Sequence, residues 1–490
     1  MQSQRGLFSM SNKANNTLKQ KKNRAVIRLV ISIFVLLGLL LNGQLVLSLF
    51  FLLVLFVFNE LFLADHNFYD PSDDYQYSFN QAEKVKPDWA ADGQSIHASW
   101  AKGSYDTALL AININHSFKG KFLDPFVTIT SGSITRKQYF ERSVGGLRYL
   151  NISEFINTGE AIVFAYSHCE SEANGSEVLL FSNETLTDKK VLIIAPHADD
   201  AEIGAFGLYS TYDSAIVTVT AGEIGAAAYE SAYSNGEQAS LQKGRLRSWD
   251  SIAIPQWAGL KPDDVIQLGY FCMRLEAMHN APDEVIASKT AGVNDTRVFR
   301  EFNRQSLKSD AHGTSSWNSL VADLVECIER IKPDVIVTSH AELDPHSDHY
   351  YSTLALQQAL AISSNQPANI YFCANHLSSS DMFPFGPVHT LASLWPNTNA
   401  CVEAGTVVSI PLTIEQQKNK AAALAMMHDL QTPLRWKKKL RFKLQSWLIG
   451  RELSPYGEDE YLRIAIRDNE LFFSVPCSEF MQSMKSDSNA

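Results

Sequence analysis

The chain has 490 residues and a formal net charge of −11, which is room for two or three domains and a substantial core. That charge argues against nucleic acid as the main partner, because gripping phosphate backbones needs a basic surface. Six scattered cysteines (Cys169, Cys272, Cys327, Cys373, Cys401, Cys477) with no C-x-x-C pair exclude a cysteine zinc cluster or a disulfide framework, and Cys327 reads as a core residue.

Residues 1–24 are polar and basic, and residues 25–63 are almost continuously apolar. The apolar run is too long for a signal-peptide core and ends without a small-residue cleavage site, so it is expected to stay and to span a membrane. Asn42-Gly43-Gln44 divides it into two arms, 25–41 and 45–63, each long enough to cross. A helical hairpin is favoured over one long tilted helix. Basic residues before the first arm place the N-terminus in the cytoplasm, and two crossings would keep everything after residue 64 there, as at a bacterial inner membrane. A single crossing would instead give an extracytoplasmic domain.

Residues 64–91 are acidic and aromatic without sustained periodicity and read as a linker. Residues 92–186 alternate strand-like runs (105–115, 124–132, 147–153, 161–167) with Gly, Ser and Asn turns, which predicts a small antiparallel β-sandwich. Sugar binding and scaffolding both remain open for it.

From 187 to 490 the pattern becomes alternating strands and helices. The strands are expected at 191–196, 215–220, 265–269, 334–339 and 370–374, and the helices near 201–210, 237–258, 315–331, 350–363 and 413–428. This predicts an α/β, doubly wound, mostly parallel, Rossmann-like sheet, in which ligands bind at the carboxyl ends of strands.

Two such ends are rich in His and Asp: 196-PHADDAEIG-204 and 339-SHAELDPHSDHY-350. His197 and Asp200 from the first, with His349 from the second, would make a two-His, one-carboxylate metal site with a position left for water. A lone His or Asp in a loop is commonly just solvated or a cap. Two clusters of the same construction are hard to explain that way.

The first cluster resembles the P-H-P-D-D motif of the PIG-L/LmbE-like deacetylases. Thr220-Ala221-Gly222-Glu223 resembles the family's T-x-G-E turn, Arg247 to Asp250 its R-x-x-E helix with Asp for Glu, and Asp344 to His349 its second metal cluster. Lys420 to Gln431 resembles its last helix, so the likeness spans about 189–435 and leaves out the membrane and β-rich parts. Departures are Ala198 for Pro and an inserted Ala201; neither removes a ligand. An Asp usual after the third strand is missing from 268-LGYFCMRL-275.

The resemblance implies a metal-dependent hydrolase, with Zn2+ or another divalent ion, that removes an N-acetyl group from an N-acetylglucosamine-type sugar. It implies His197, Asp200 and His349 as ligands and Asp199 as general base for the attacking water. His346 is then the electrophile that stabilises the oxyanion and protonates the amine, oriented by Asp348. Arg247 would contact substrate or form a helix salt bridge to Asp250. Glu202 and Glu223 read as caps or supports.

Residues 434–448 place Leu440, Leu444, Trp447 and Leu448 on one helical face beside Lys437, Lys438, Lys439, Arg441 and Lys443. That pattern suits either an interfacial helix on anionic lipid or a helix packed on the core. The membrane reading points to a lipid-linked or membrane-proximal glycan precursor in cell-surface polysaccharide assembly. The rivals are a metallo-esterase or amidase on another substrate, and a membrane-tethered sugar-binding protein.

Overall fold

The computed structural model describes residues 30–487, apart from 31, 34, 36, 39, 40, 42, 43, 66, 99–104, 234, 378, 381, 432, 433, 458 and 459. The Asn42-Gly43 turn and much of the expected hairpin's first arm lie outside the described residues. The second arm is an α-helix, Leu45–Phe58, that runs on through a π-helical turn, Asn59–Leu63. It is long and apolar enough to cross a membrane, and only 17% of its apolar window is buried against the rest of the protein.

A seven-stranded sheet organises the C-terminal part: β1 (Val191–Ala195), β2 (Ser214–Thr220), β3 (Val265–Tyr270), β4 (Val335–Ser339), β5 (Asn369–Cys373), β6 (Thr406–Pro411) and β7 (Asn469–Pro476). The order is β3-β2-β1-β4-β5-β7-β6. β1 to β5 are parallel, each within a residue or two of its expected span, and β7 and β6 add an antiparallel edge that was not anticipated.

Alternation along these strands feeds two cores. Leu192, Ile194, Val217 and Ile336 pack on one face with α3 (Trp317–Ile331) and α4 (Ser347–Ile362). Val191, Ile193, Ile216 and Val337 pack on the other with α1 (Asp200–Thr211) and α5 (Ile414–Met426). Both faces are covered, so the strands carry apolar residues on both sides, as buried parallel strands must. α2 (Gly236–Ala253) stops five residues short of its expected end, and Pro255 opens a separate 3-10 turn after it. From β1 the chain winds out through β2 and β3, then returns to lay β4 on the other side of β1. The switch point falls between β1 and β4, whose carboxyl ends carry the two His/Asp clusters.

The β-rich part contains two antiparallel sheets. Thr107–His116, Leu147–Asn151 and Cys169–Phe181 belong to one; Phe126–Ser131, Ile134–Tyr139 and Ala161–Ser167 belong to the other. Leu110, Ile112 and Val178 of the first pack with Val127, Ile129 and Phe164 of the second in one core. The strands Ile134–Tyr139 and Cys169–Phe181 were not expected, because polar residues interrupt both.

The segment 64–91, expected to be a linker, instead carries packed residues. Tyr69, Tyr75 and Phe79 are buried in the core on one face of the seven-stranded sheet, and the Tyr75 hydroxyl donates to Glu141, which pairs with Arg148 at 2.7 Å. The aromatic residues that broke the periodicity bind the two parts together. Asn151 Nδ2 to Ser409 Oγ (2.8 Å) and Asn183 Nδ2 to the Val407 carbonyl (2.8 Å) complete that junction on β6.

Candidate metal centre

β1 ends at Ala195, and Pro196-His197-Ala198-Asp199 carries the chain into α1, which starts at Asp200. Asp199 sits at φ 128°, a left-handed conformation that strains any residue with a Cβ. The Arg247 guanidinium of α2 holds it there, donating to the Ala198 carbonyl at 2.8 Å and to Asp199 Oδ1 at 3.1 Å. The second cluster leaves β4 at Ser339 and enters α4, with His346 as the residue capping that helix.

Three donor atoms meet between the two loops. His197 Nδ1 and Asp200 Oδ2 are 3.2 Å apart, His349 Nε2 and Asp200 Oδ2 are 3.2 Å apart, and His349 Nε2 and His197 Nδ1 are 3.3 Å apart. Ligand bonds of about 2.0–2.1 Å in a tetrahedral zinc site put the donor atoms roughly 3.3 Å from one another. The triangle therefore has the size a zinc-like ion needs. Two imidazole nitrogens facing each other beside a carboxylate, all buried, is also an arrangement that a shared cation satisfies.

Each imidazole is held from behind. His197 Nε2 lies 3.2 Å from Asp348 Oδ2, and His349 Nδ1 lies 2.8 Å from Asp344 Oδ2 and 3.1 Å from Ser339 Oγ. Carboxylates in that position fix the ring and raise its basicity as a ligand. Asp348 was expected to orient His346. Its carboxylate turns instead to His197 and accepts from the Met273 backbone N–H at 2.7 Å, because that loop stands opposite it. His346 is oriented by the backbone: the Asp348 N–H donates to His346 Nδ1 at 3.2 Å, leaving the ring proton on Nε2.

Arg247 makes no salt bridge to Asp250. It pairs with Asp199 and Asp429, while Asp250 takes His428 at 2.6 Å. Glu223 accepts from the Cys272 N–H at 3.0 Å and supports the loop after β3, and Glu202 accepts from the Tyr209 hydroxyl at 3.1 Å.

The sequence reading missed Asn375 and His376. Asn375 Nδ2 donates to Asp200 Oδ1 at 3.0 Å, and the His376 ring centre lies 4.8 Å from that of His349. Both follow β5, so the rule that located the first two clusters would have found them. Asp344, in sequence one member of the second cluster's motif, is a support for His349.

Electrostatics separates the groups. Burial works against charge on His197, but Asp200 and Asp348 outweigh it and raise its pKa well above the ordinary value. Burial likewise opposes charge on His349, and Asp200 and Asp344 carry it up to about 9. Burial pushes Asp199 up to about 6 against the pull of Arg247, with the Asp200 charge adding to the rise. Burial, followed by the charges of His197 and His349, brings His346 down to about 4. At neutral pH the arrangement offers an ionised Asp199 with moderate basicity and a neutral His346 with an N–H to donate.

Residues 192–360 match the model of PIG-L: GlcNAc-PI de-N-acetylase. No curated protein matches the chain at a significant level. Among solved structures, N,N'-diacetylchitobiose deacetylase from Pyrococcus horikoshii aligns at 16% identity over 60% of this chain and 85% of that one, with a TM-score of 0.32. GalB, the 4-carboxy-2-hydroxymuconate hydratase from Pseudomonas putida, aligns at 16% identity over 53% and 84%, with a TM-score of 0.29. Overlap at those scores supports no functional inference. The segment that matches the PIG-L model supplies all three corners of the donor triangle together with Asp199 and His346, so the similarity to that family falls on the site itself.

Proposed function

We propose that the protein is a metal-dependent amidohydrolase that removes the acetyl group from an N-acetylglucosamine-type sugar, working at a membrane. The observation that carries this reading is the triangle of His197 Nδ1, Asp200 Oδ2 and His349 Nε2, with edges of 3.2, 3.2 and 3.3 Å, inside the PIG-L segment. A divalent ion, most simply zinc, fits those donors and supplies Lewis acidity that polarises an amide carbonyl and acidifies water.

The chain's own residues then divide the remaining work. Asp199 accepts a proton as water adds to the amide carbon. His346 Nε2–H donates to the oxygen that becomes negative. The C–N bond breaks, the nitrogen takes the proton that Asp199 carried, and acetate and a free amine result. With His346 low and Asp199 near 6, the pKa values favour Asp199 over His346 as the proton carrier. Asp344 and Asp348 are positioning residues for the two ligand imidazoles.

The helix Leu45–Leu63 supports a membrane setting, and with it a lipid-linked or membrane-proximal substrate of the kind used in cell-surface polysaccharide assembly. The test is metal analysis with acetate release from N-acetylglucosamine derivatives. Asp199→Asn should keep the ion and lose about 10²–10⁴-fold in rate. Near-normal turnover in that variant, or no bound metal in the wild type, would sink the reading.

A further inference from the structure

The helix that carries the ligand Asp200 is broken. Inside α1, Ala205 sits at φ −141° and ψ 20°, outside the helical range. No proline in α1 accounts for the break.

In an unbroken helix the Gly207 N–H would donate to the Ile203 carbonyl, and the Leu208 N–H to that of Gly204. Here the Gly207 and Leu208 N–H groups donate to the two carboxylate oxygens of Glu470, at 3.0 and 3.2 Å. The Ile203 carbonyl accepts from Lys420 Nζ at 2.8 Å, and Lys420 Nζ pairs with Glu470 Oε1 at 2.8 Å. An ion pair is thus set into the hydrogen-bond ladder of α1, and side chains inserted there are a known cause of sharp helix bends. Lys420 comes from α5 and Glu470 from β7. Two elements that follow the segment 192–360 therefore reach into a helix that lies within it.

Each half of α1 is seated separately. A Cβ on Gly204 would stand 2.9 Å from Asn375 Oδ1 and 3.1 Å from Cys373 Sγ, so the first turn lies hard against the end of β5. A Cβ on Gly207 would stand 2.7 Å from the Leu412 side chain, so the remainder lies against the chain after β6. The first turn also carries the contacts of the metal centre. Asn375 Nδ2 donates to the Asp200 carbonyl and to Asp200 Oδ1, both at 3.0 Å, and the His197 N–H donates to Asp200 Oδ2 at 2.8 Å. The break lets this turn follow Asn375 while the rest of the helix follows β7.

Stability alone does not explain the pair. Both side chains are almost fully buried, at 2% and 4% exposure, and replacing such a pair with apolar residues of similar size is often neutral or stabilising. Apolar residues here would leave the Ile203 carbonyl and two N–H groups without these partners, and the backbone would recover hydrogen bonds by closing the ladder. Closing it would straighten α1 and move Asp200.

We infer that Lys420 and Glu470 are positioning residues of the metal centre: their ion pair holds α1 open at Ala205 and so aims the Asp200 carboxylate at the two ligand imidazoles. The inference rests on the metal-centre reading and adds the device that sets one corner of the donor triangle. Such a constellation must be held within about 0.5 Å of its working geometry, so a small change in helix direction reaches the ion.

The experiment uses the full chain in lipid nanodiscs, loaded in turn with Zn2+ and Co2+. Lys420→Met combined with Glu470→Met removes the charges and keeps side chains of similar size. The metal-free double variant should unfold near the wild-type temperature. Its zinc affinity should fall about 10–100-fold, as when the support of a ligand is removed, and the visible absorption bands of bound Co2+ should shift. Lys420→Arg keeps the charge and should retain most of the affinity and the cobalt spectrum. An unshifted cobalt spectrum in the double variant overturns the inference, whether zinc binds as in the wild type or more weakly through general loosening. If the double variant does not fold, Glu470→Gln decides, because it keeps the shape and removes the charge that holds Lys420. The same spectral shift then upholds the inference, and an unmoved spectrum overturns it. A wild type that takes up neither ion removes the metal centre itself, and the positioning assignment falls with it.

Discussion

Arg247 reaches from α2 to Asp199 and closes a buried salt bridge of 3.1 Å on the carboxylate proposed to take the proton from water. The same guanidinium holds the Ala198 carbonyl, so it fixes both the backbone and the side chain of the strained turn. In the proposed mechanism this gives Arg247 a positioning task beside the substrate contact expected of it.

Its removal has a signed consequence. Asp199 lies at about 6 against an ordinary 3.8, so as a base it works above that value and kcat/KM falls as the pH drops through it. Arg247 is a cation that lowers the Asp199 pKa. Arg247→Gln should therefore move the acid limb of the pH–rate profile to higher pH and cut kcat by about 10²-fold, with KM little changed. A bound cation draws down wild type and variant alike, so the direction of the difference survives. Arg247→Lys, which keeps the charge, should restore most of the limb. An unmoved acid limb in Arg247→Gln would show that the pair does not control the base.

Metal binding should release protons. In the metal-free protein His349 lies at about 9 and His197 well above its ordinary value, so both imidazoles are protonated at pH 7 and must lose a proton to act as ligands. Zinc titration calorimetry in buffers of different ionisation enthalpy should report about two protons released per ion at pH 7. Asp200→Ala and His349→Ala should each bind little metal. A release near zero, or full occupancy in both variants, would contradict the donor triangle.

Asp348 separates two assignments of one side chain. If it supports the ligand His197, as the 3.2 Å contact indicates, Asp348→Asn should weaken zinc binding by about 10–100-fold. If it acted on His346, affinity would hold and only turnover would fall. Competition with a chromophoric chelator measures the difference. The capping of α4 by His346 uses the Asp348 backbone and should survive the substitution.

The five parallel strands and the two clusters could be read from sequence because each strand is a nearly unbroken apolar run, and each cluster directly follows one. The partners of the clusters could not, since they are settled by tertiary approach. The spacing of Arg247 and Asp250 suits a pair along a helix, yet α2 turns Arg247 towards the β1 loop and His428 occupies Asp250. β6 and β7 escaped notice because they pair antiparallel with each other across some 60 residues of intervening chain. Tyr69, Tyr75 and Phe79 looked like linker aromatics because the surfaces they fill lie far away in sequence.

The last prediction concerns the surface around the foot of the membrane helix. The helix Trp436–Ile449 is tied there through Glu60 and Asp65, yet it leaves Trp436 at 74% and Trp447 at 82% exposure. On the β-rich side the rings of Phe58, Phe62, Phe122 and Phe118 follow one another at 5.2, 5.5 and 5.9 Å, and Phe118 at the end is 78% exposed. Indoles beside lysines suit the headgroup level of a bilayer, where one part of the ring is apolar and the N–H is wet. Each basic residue near an anionic surface adds about 1 kcal/mol. With the full chain in anionic vesicles, lipids brominated near the headgroup should quench part of the tryptophan fluorescence, and Trp436→Phe with Trp447→Phe should remove most of that quenched part. Reporter fusions at residue 80 and at the C-terminus should then agree on one side of the membrane. Both in the cytoplasm means two crossings before residue 64; both outside means one. Quenching that is unchanged in the double variant would place this face of the helix Trp436–Ile449 in water, and the interfacial reading of that helix would fail.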